Sequence, residues 1–196
     1  MKRMVWYGLP ALLALPVLAL SRPEAVDVCA ECHGADGMGN GDAVVPVIAG
    51  IPAGHIEEAI FAYIDDARRC VREPRMCETV SGLSEDEVFA LADYFGSKKR
   101  MALDQEYDAK LAEEGAALHE RHCRACHVPP DAEDVEYAVG IPLHGQRKEY
   151  LRYAIEAYLG GHREALLPAM AHELAELEPG DIGALVNYYA SYDPDG

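Results

Sequence analysis

Two pentapeptides limit what this chain can fold into: Cys29-Ala30-Glu31-Cys32-His33 and Cys123-Arg124-Ala125-Cys126-His127, placed 94 residues apart. C-x-x-C-H is the spacing at which two thiols add across the vinyl groups of one porphyrin, while the next residue offers an imidazole to the iron. A lone copy would also suit a zinc half-site or a redox dithiol. Two copies, each closed by histidine, point to two covalently bound haems, one on Cys29 and Cys32 and one on Cys123 and Cys126. Such a chain must wrap a flat cofactor twice, so much of its core must be side chains laid against a ring.

The same 94-residue offset pairs Pro74 with Pro168, Met76 with Met170, Leu83 with Leu177, Leu91 with Leu185, Tyr94 with Tyr188 and Ser97 with Ser191. A period this long occurring twice marks a duplicated domain, whereas a solenoid needs more and shorter units. The expected organisation is a first domain over 22–97, a charged linker over 98–107 and a second domain over 108–196. Each half reads as all-α, with loops around the cofactor. Leu111, Gly115 and Leu118 recur at helical spacing and predict a helix over 108–121 that delivers Cys123, and a second over 149–159. Ser84 with Glu87 three residues on is a capping box. Pro179 fits the first position of the last helix, where a missing N–H costs nothing. Leu91, Tyr94 and Phe95, and their counterparts Leu185, Tyr188 and Tyr189, share one helix face and read as packing at the core and haem edge.

Export is read from the first residues. Lys2 and Arg3 precede an uncharged apolar stretch over 5–20, and Ala19-Leu20-Ser21 offers a cleavage pattern, so 1–21 reads as a signal peptide with Arg22 as the new N-terminus. The stretch is short for a membrane span and is broken by Pro10 and Pro16. Haem attachment outside the cytoplasm agrees with export, and the expected location is the periplasm.

The sixth iron ligand is suggested by register. Met76 follows His33, and Met170 follows His127, by 43 residues, and each methionine closes a Pro-x-Met segment. A thioether opposite the histidine favours ferrous iron and raises the potential. His55, His162 and His172 are the rival ligands, but none has a histidine at the equivalent place in the other half. Met38 lies too close to His33 in sequence to cross the porphyrin.

With these residues in view, the chain resembles the dihaem class I cytochromes c of the c-four type, and the dihaem cytochrome subunit of flavocytochrome c sulfide dehydrogenase. The resemblance covers nearly the whole mature chain. It rests on both C-x-x-C-H motifs, on Cys32-His33-Gly34-Ala35-Asp36-Gly37 with Pro46-Val47-Ile48-Ala49-Gly50, on Gly145-Gln146 with Tyr150-Leu151, and on the Gly160-Gly161-His162-Arg163 turn. It implies two tandem cytochrome c-like domains packed about a pseudo-twofold axis. It further implies axial pairs His33 with Met76 and His127 with Met170, and a Pro46 carbonyl that accepts the distal proton of His33. The chain departs from the pattern at Val128-Pro129-Pro130, at Pro142, one place off the spacing of Pro46 to the following glycine, and at His55 where the second half has Tyr150. Few residues precede Cys29, which shortens the first helix.

A second cysteine pair, Cys70 and Cys77, brackets Met76 in the first half only. In an oxidising compartment such a pair forms a disulfide, here one that holds the Met76 loop more than it stabilises the fold. The alternative makes Cys77 a thiolate ligand to the first iron, as in thiosulfate-oxidising dihaem enzymes.

The chain carries a formal charge of −17, or −19 once Lys2 and Arg3 leave with the leader. That field argues against nucleic acid and against anionic membranes, and suits a redox protein partner with a basic docking surface. The main functional reading is a protein that is not itself an enzyme and carries electrons by outer-sphere transfer, either as a free shuttle or as the subunit of a dehydrogenase such as a flavoprotein. The other reading is a dihaem enzyme that oxidises a sulfur compound at an open or cysteine-ligated first haem.

Overall fold

The computed structural model describes residues 25–71 and 74–194. The leader expected over 1–21 lies outside them. Among the described residues the chain forms eight α-helices, four in each half. The first half holds α1 (Val26–His33), α2 (Ala53–Ile64), α3 (Pro74–Val80) and α4 (Glu85–Gly96), and the second holds α5 (Ala109–His122), α6 (Lys148–Leu159), α7 (Pro168–Ala175) and α8 (Asp181–Ala190). A single 3-10 turn (Val135–Tyr137) lies in the loop before α6.

The predicted capping box is present: the Ser84 hydroxyl accepts from the Glu87 N–H, and the Glu87 carboxylate accepts from the Ser84 N–H. The predicted helices over 108–121 and 149–159 are α5 and α6, with Asp108 capping α5 through the Lys110 and Leu111 amides. Pro179 does not start the last helix. The Asp181 carboxylate accepts from the Glu178 amide while the Asp181 amide donates to the Glu178 carbonyl, and this turn leaves Pro179 ahead of the N-cap, Gly180.

Each half has its own core. Val26, Ile56, Ile60, Val88, Leu91 and Phe95 pack together in the first half, and Leu151, Ile182, Leu185, Val186 and Tyr189 in the second. In the second half α5 lies directly on α8. A Cβ added at Gly115 would fall 2.2 Å from the Ala184 carbonyl oxygen, so only glycine permits this approach. In the first half α1, which begins at Val26, itself carries both cysteines and His33.

The repeat is not in one register throughout. It runs at 94 residues for the cysteine motifs and Pro-x-Met segments, and at 95 for α2 and α6, whose bounds match residue for residue at that offset. One residue is added after the second haem motif and one in the first half between Arg68 and Pro74. The structural counterpart of Pro46 is therefore Ile141 and not Pro142.

The halves meet along a local pseudo-twofold axis. Arg68 and Arg163, equivalent at the 95 offset, form an antiparallel bridge. Arg163 donates to the Tyr63 hydroxyl at 3.1 Å and Arg68 to the Tyr158 hydroxyl at 3.4 Å, so equivalent residues exchange equivalent bonds. Arg100, in the segment between α4 and α5, lies on the same axis. It is 7% exposed and donates to the carbonyls of Ala49 (3.1 Å) and His144 (2.9 Å), and of Val47 (3.4 Å) and Pro142 (3.5 Å), two pairs that again match at 95. Burial pulls its pKa down to about 10, which still leaves it charged at neutral pH. Gln146 adds a two-way bond to the backbone of Val47, 2.8 Å in each direction.

The second half also contains a buried aromatic cage with no counterpart in the first. The rings of His119 and His144 meet edge to face at 4.9 Å, and His144 lies 5.2 Å from Tyr189 and 5.6 Å from Tyr192. His119 shares a hydrogen bond with the Tyr189 hydroxyl and His144 with that of Tyr188. At the matching first-half positions stand Ala25 and Ala49. Burial, with the neighbouring His119 adding to it, pushes the His144 pKa down to about 4.

Two predictions follow from this packing. Arg100→Met removes donors from buried carbonyls of both halves and should cost about 3 kcal/mol, or about 9 °C in Tm, in thermal unfolding of the holoprotein. An unchanged Tm would show that the halves are joined by other contacts. His144 is neutral in the fold and protonates more readily when unfolded, so its contribution is complete above the unfolded pKa of about 6.5 and is lost as pH falls towards about 4. Denaturant unfolding should lose up to about 3 kcal/mol across that window, and His144→Phe should flatten this part of the profile.

Candidate functional site

One cavity of about 510 Å³ runs through both halves. Its walls include Cys29, Cys32, His33 and Met76 from the first half, and Cys123, Cys126, His127 and Met170 from the second. The remaining lining is mainly apolar, with Ile56, Ile60, Leu91 and Phe95 on one side and Leu151, Ile155, Leu185 and Tyr189 on the other. The four motif cysteines, the two motif histidines and the two Pro-x-Met methionines thus line a single space.

Each motif is held differently. In the first half α1 presents Cys29, Cys32 and His33 on its last turns. In the second, α5 ends at His122, and Cys123 to His127 continue as turns in which the His127 amide donates to the Cys123 carbonyl. The imidazoles are nevertheless oriented alike. His33 Nδ1 donates to the Pro46 carbonyl at 3.1 Å, and His127 Nδ1 to the Ile141 carbonyl at 2.8 Å. A carbonyl can only accept, so Nδ1 carries the proton in both rings and Nε2 keeps its lone pair. Burial pushes both pKa values down, which favours the neutral ring. The backbone closes tightly over the second histidine: a Cβ at Gly140 would lie 2.6 Å from the His127 ring. Burial also raises the pKa of the Cys29 and Cys123 thiols, which therefore stay protonated.

The methionine helices are tethered by unlike means. On α3, Met76 precedes Cys77, which is bridged to Cys70, and the Cys77 amide donates to the Cys70 sulfur. With both sulfurs in one disulfide, Cys77 has no thiolate to offer a metal. On α7, Pro168 stands in the first turn ahead of Met170, and Glu173 reaches His122 Nδ1 at 2.8 Å, tying this helix to the end of α5. The matching first-half residues are Val28 and Thr79. Of the rival histidines, His162 and His172 are exposed and do not line the cavity. His55 does line it, and its Nε2 is bonded to the Ala138 carbonyl at 3.1 Å.

The donor set fits covalent haem in both halves. Each holds an unbridged thiol pair and a neutral imidazole fixed by its Nδ1 proton, with a thioether lining the same cavity. Sequence reasoning missed the Arg–Tyr group at the waist of the cavity, formed by Tyr63, Arg68, Tyr150, Tyr158 and Arg163. The 95 offset that pairs Tyr63 with Tyr158 and Arg68 with Arg163 would have revealed it.

Comparisons with known proteins agree with this geometry. Residues 24–99 match the family model "Cytochrome c". The chain is 32% identical over 187 residues to the "Thiosulfate dehydrogenase electron acceptor" of Stutzerimonas stutzeri, covering 87% of this chain and 81% of the relative. It is 30% identical over 171 residues to the protein of the same description from Thiomonas intermedia, covering 80% of this chain and 74% of that one. Among solved structures it superposes on the thiosulfate dehydrogenase TsdBA of Marichromatium purpuratum with a TM-score of 0.68 at 26% identity, covering 83% of this chain but only 36% of that one. The fold is shared with cytochrome c4 of Acidithiobacillus ferrooxidans, with a TM-score of 0.70 at 24% identity, covering 85% of this chain and 99% of that one. Two all-helical halves, each with a haem-attachment motif at the wall of one cavity, and relatives of matching length place the chain in the cytochrome c family, as a dihaem electron-transfer cytochrome of the group that contains the thiosulfate dehydrogenase electron acceptors.

Proposed function

We propose that this chain works in the periplasm, accepting electrons from a dehydrogenase of small sulfur compounds and passing them to a second redox protein. The carrying observation is the single cavity that joins both motifs, because it sets the two redox centres side by side in one carrier. Similarity to two thiosulfate dehydrogenase electron acceptors supports the choice of donor. A basic docking surface on a partner would complement the chain's formal charge of −17.

In this reading the domains divide at 22–97, 98–107 and 108–196. Cys29 and Cys32, and Cys123 and Cys126, form the thioether bonds. His33 with Met76 and His127 with Met170 are the axial pairs. Haem supplies the one-electron couple when bound. The chain's own groups set its terms: the Pro46 and Ile141 carbonyls, by accepting from Nδ1, raise the basicity of each Nε2, and the apolar lining excludes water. A six-coordinate site leaves no position for substrate, and the Cys70–Cys77 disulfide removes the thiolate that an enzymatic first haem would use.

Two expectations test the assignment. Met170→Ala should open the second site alone, so that the reduced protein binds one carbon monoxide per chain and one potential falls while the other holds. Identical spectra and potentials before and after the change would exclude Met170 as a ligand. The Cys70→Ser, Cys77→Ser double variant should keep both haems, yet its first site should take up added imidazole more readily than the parent. Equal imidazole affinity would mean that the disulfide does not hold Met76 in place.

A further inference from the structure

The chain contains three phenylalanines, and two of them meet on the outside of the first half. Phe61 on α2 and Phe89 on α4 stand edge to face with ring centroids 6.3 Å apart, and Phe89 is 43% exposed. Ile64, one turn after Phe61, is 38% exposed. Apolar side chains scattered singly over a surface need no explanation, but an aromatic pair with an aliphatic neighbour is a patch. The second half does not repeat it: Glu156 stands at the place of Phe61 and Gly183 at that of Phe89. The fold therefore does not require aromatic side chains here. Carboxylates frame the patch. Residues three and four apart on a helix are neighbours, which sets Glu57, Glu58 and Asp65 around Phe61, and Glu85, Asp86 and Asp93 around Phe89. Neither α2 nor α4 carries a Lys or Arg, whereas α6 in the second half carries Lys148 and Arg152. Glu85 and Asp86 suit the start of a helix. Asp65 and Asp66 instead follow the end of α2, and Asp93 lies in the last turn of α4, at negative helix ends where a carboxylate costs stability. Local stability does not explain these three.

An aromatic centre inside a rim of like charge is the make-up of a transient protein interface, in which the anchors give contact and the rim speeds encounter. We propose that Phe61, Phe89 and Ile64, with the carboxylates around them, form the docking face for a redox protein that presents an apolar spot within a basic rim. The inference deepens the reading of this chain as an electron carrier with a basic partner, and it rests on that reading. The opposite sides of both helices line the cavity, α2 through Ile56, Ile60 and Tyr63 and α4 through Leu91 and Phe95. A partner seated here is separated from the first site by one helix diameter, about 10 Å. In the exchange one electron leaves the reduced first site and enters the oxidised partner, and no bond forms or breaks. The second half, with a carboxylate and a glycine at the two aromatic places, offers no such face.

The test uses the mature holoprotein and, as probe, a basic mitochondrial-type cytochrome c in its oxidised form. Stopped-flow mixing gives the rate at which the reduced protein passes one electron to the probe, from low to physiological ionic strength. Zero-length carbodiimide cross-linking, which joins carboxylates to lysines in contact, maps the docked face by peptide mass. The parent should react fast at low salt and slow as salt rises, with its cross-links on α2, α4 and the Asp65-Asp66 turn. The Asp65→Asn, Asp93→Asn double variant should lose about tenfold in rate at low salt and much of the salt dependence, because rim charges act on encounter. Phe89→Ala removes an anchor and should slow transfer about fivefold with the salt slope unchanged. Glu113→Gln with Glu136→Gln removes the same charge from exposed places in the second half and should stay within about twofold of the parent. Spectra and both potentials should match the parent throughout, since none of these side chains lines the cavity. Should Phe89→Ala fail to mature, the Asp65→Asn, Asp93→Asn variant and the cross-links decide. An equal loss in the second-half control, an unchanged rate in Phe89→Ala, or cross-links that fall elsewhere overturns the docking face and leaves the electron-carrier reading standing. A parent that transfers slowly and without salt dependence overturns the basic-partner reading and the proposal with it. A dimer of the parent that Phe89→Ala dissociates gives the face to a second copy, and a cross-link to the chain's own N-terminus gives it to that segment; either result overturns the proposal.

Discussion

Arg100 holds the molecule's symmetry together. Its guanidinium donates to Ala49 and His144, and to Val47 and Pro142, which are equivalent pairs from the two halves. A fork with several donors in one plane suits this position, because it meets two strands of backbone that approach from opposite sides. Two of the carbonyls it binds, those of Val47 and Pro142, follow immediately on the two that accept from His33 and His127, Pro46 and Ile141. The same loops therefore meet each other through Arg100 and orient an imidazole through the preceding residue. The packing of the halves and the Nδ1 bonds of His33 and His127 therefore share the same two loops.

The two halves are alike in plan and unlike in fastening. Among the described residues the first half, whose α1 carries its own C-x-x-C-H motif, shows no counterpart of the α5–α8 contact that Gly115 makes possible in the second. The first half holds its methionine helix with a disulfide, and the second with the His122–Glu173 pair. A disulfide is covalent, whereas the His122–Glu173 contact is a single polar contact partly open to water. The His119–His144 cage, seen among the described residues only in the second half, adds an acid-sensitive element there. The second half is thus the one whose packing varies with conditions.

Much of this was legible in the residues. Both C-x-x-C-H motifs, the Pro-x-Met pair, the Ser84 capping box and the α5 and α6 helices depend on local spacing, and spacing is what a sequence records directly. The Cys70–Cys77 disulfide followed from an even number of cysteines in a chain whose first residues read as an export signal. The register change was harder to read. A 94-residue offset anchored on cysteines and methionines conceals the compensating single-residue additions between them, so Pro142 was matched to Pro46 although Ile141 takes its place. Pro179 was misplaced because a side-chain turn at Glu178 and Asp181 competed with helix propensity. Arg100 was invisible for a different reason: a lone arginine in a charged linker gives no sign that it will be buried against carbonyls 51 and 53 residues before it and 42 and 44 after it.

Burying those cations also changes the surface. Arg100 and Arg163 are among the buried polar residues, and Arg147 is bound to the Met38 carbonyl. Carboxylates are not withdrawn in the same way, since among the described residues no Asp or Glu is buried. The field felt by an approaching protein is therefore more one-sided than a formal charge of −17 suggests. Such a field raises the rate of encounter without fixing a tight complex, and it weakens as salt shortens the Debye length to about 8 Å at physiological ionic strength. For a carrier that must release its partners after electron transfer, fast and salt-sensitive association is the useful regime. The internal arginines contribute to it by placing positive charge where it orders the cavity and is hidden from the surface.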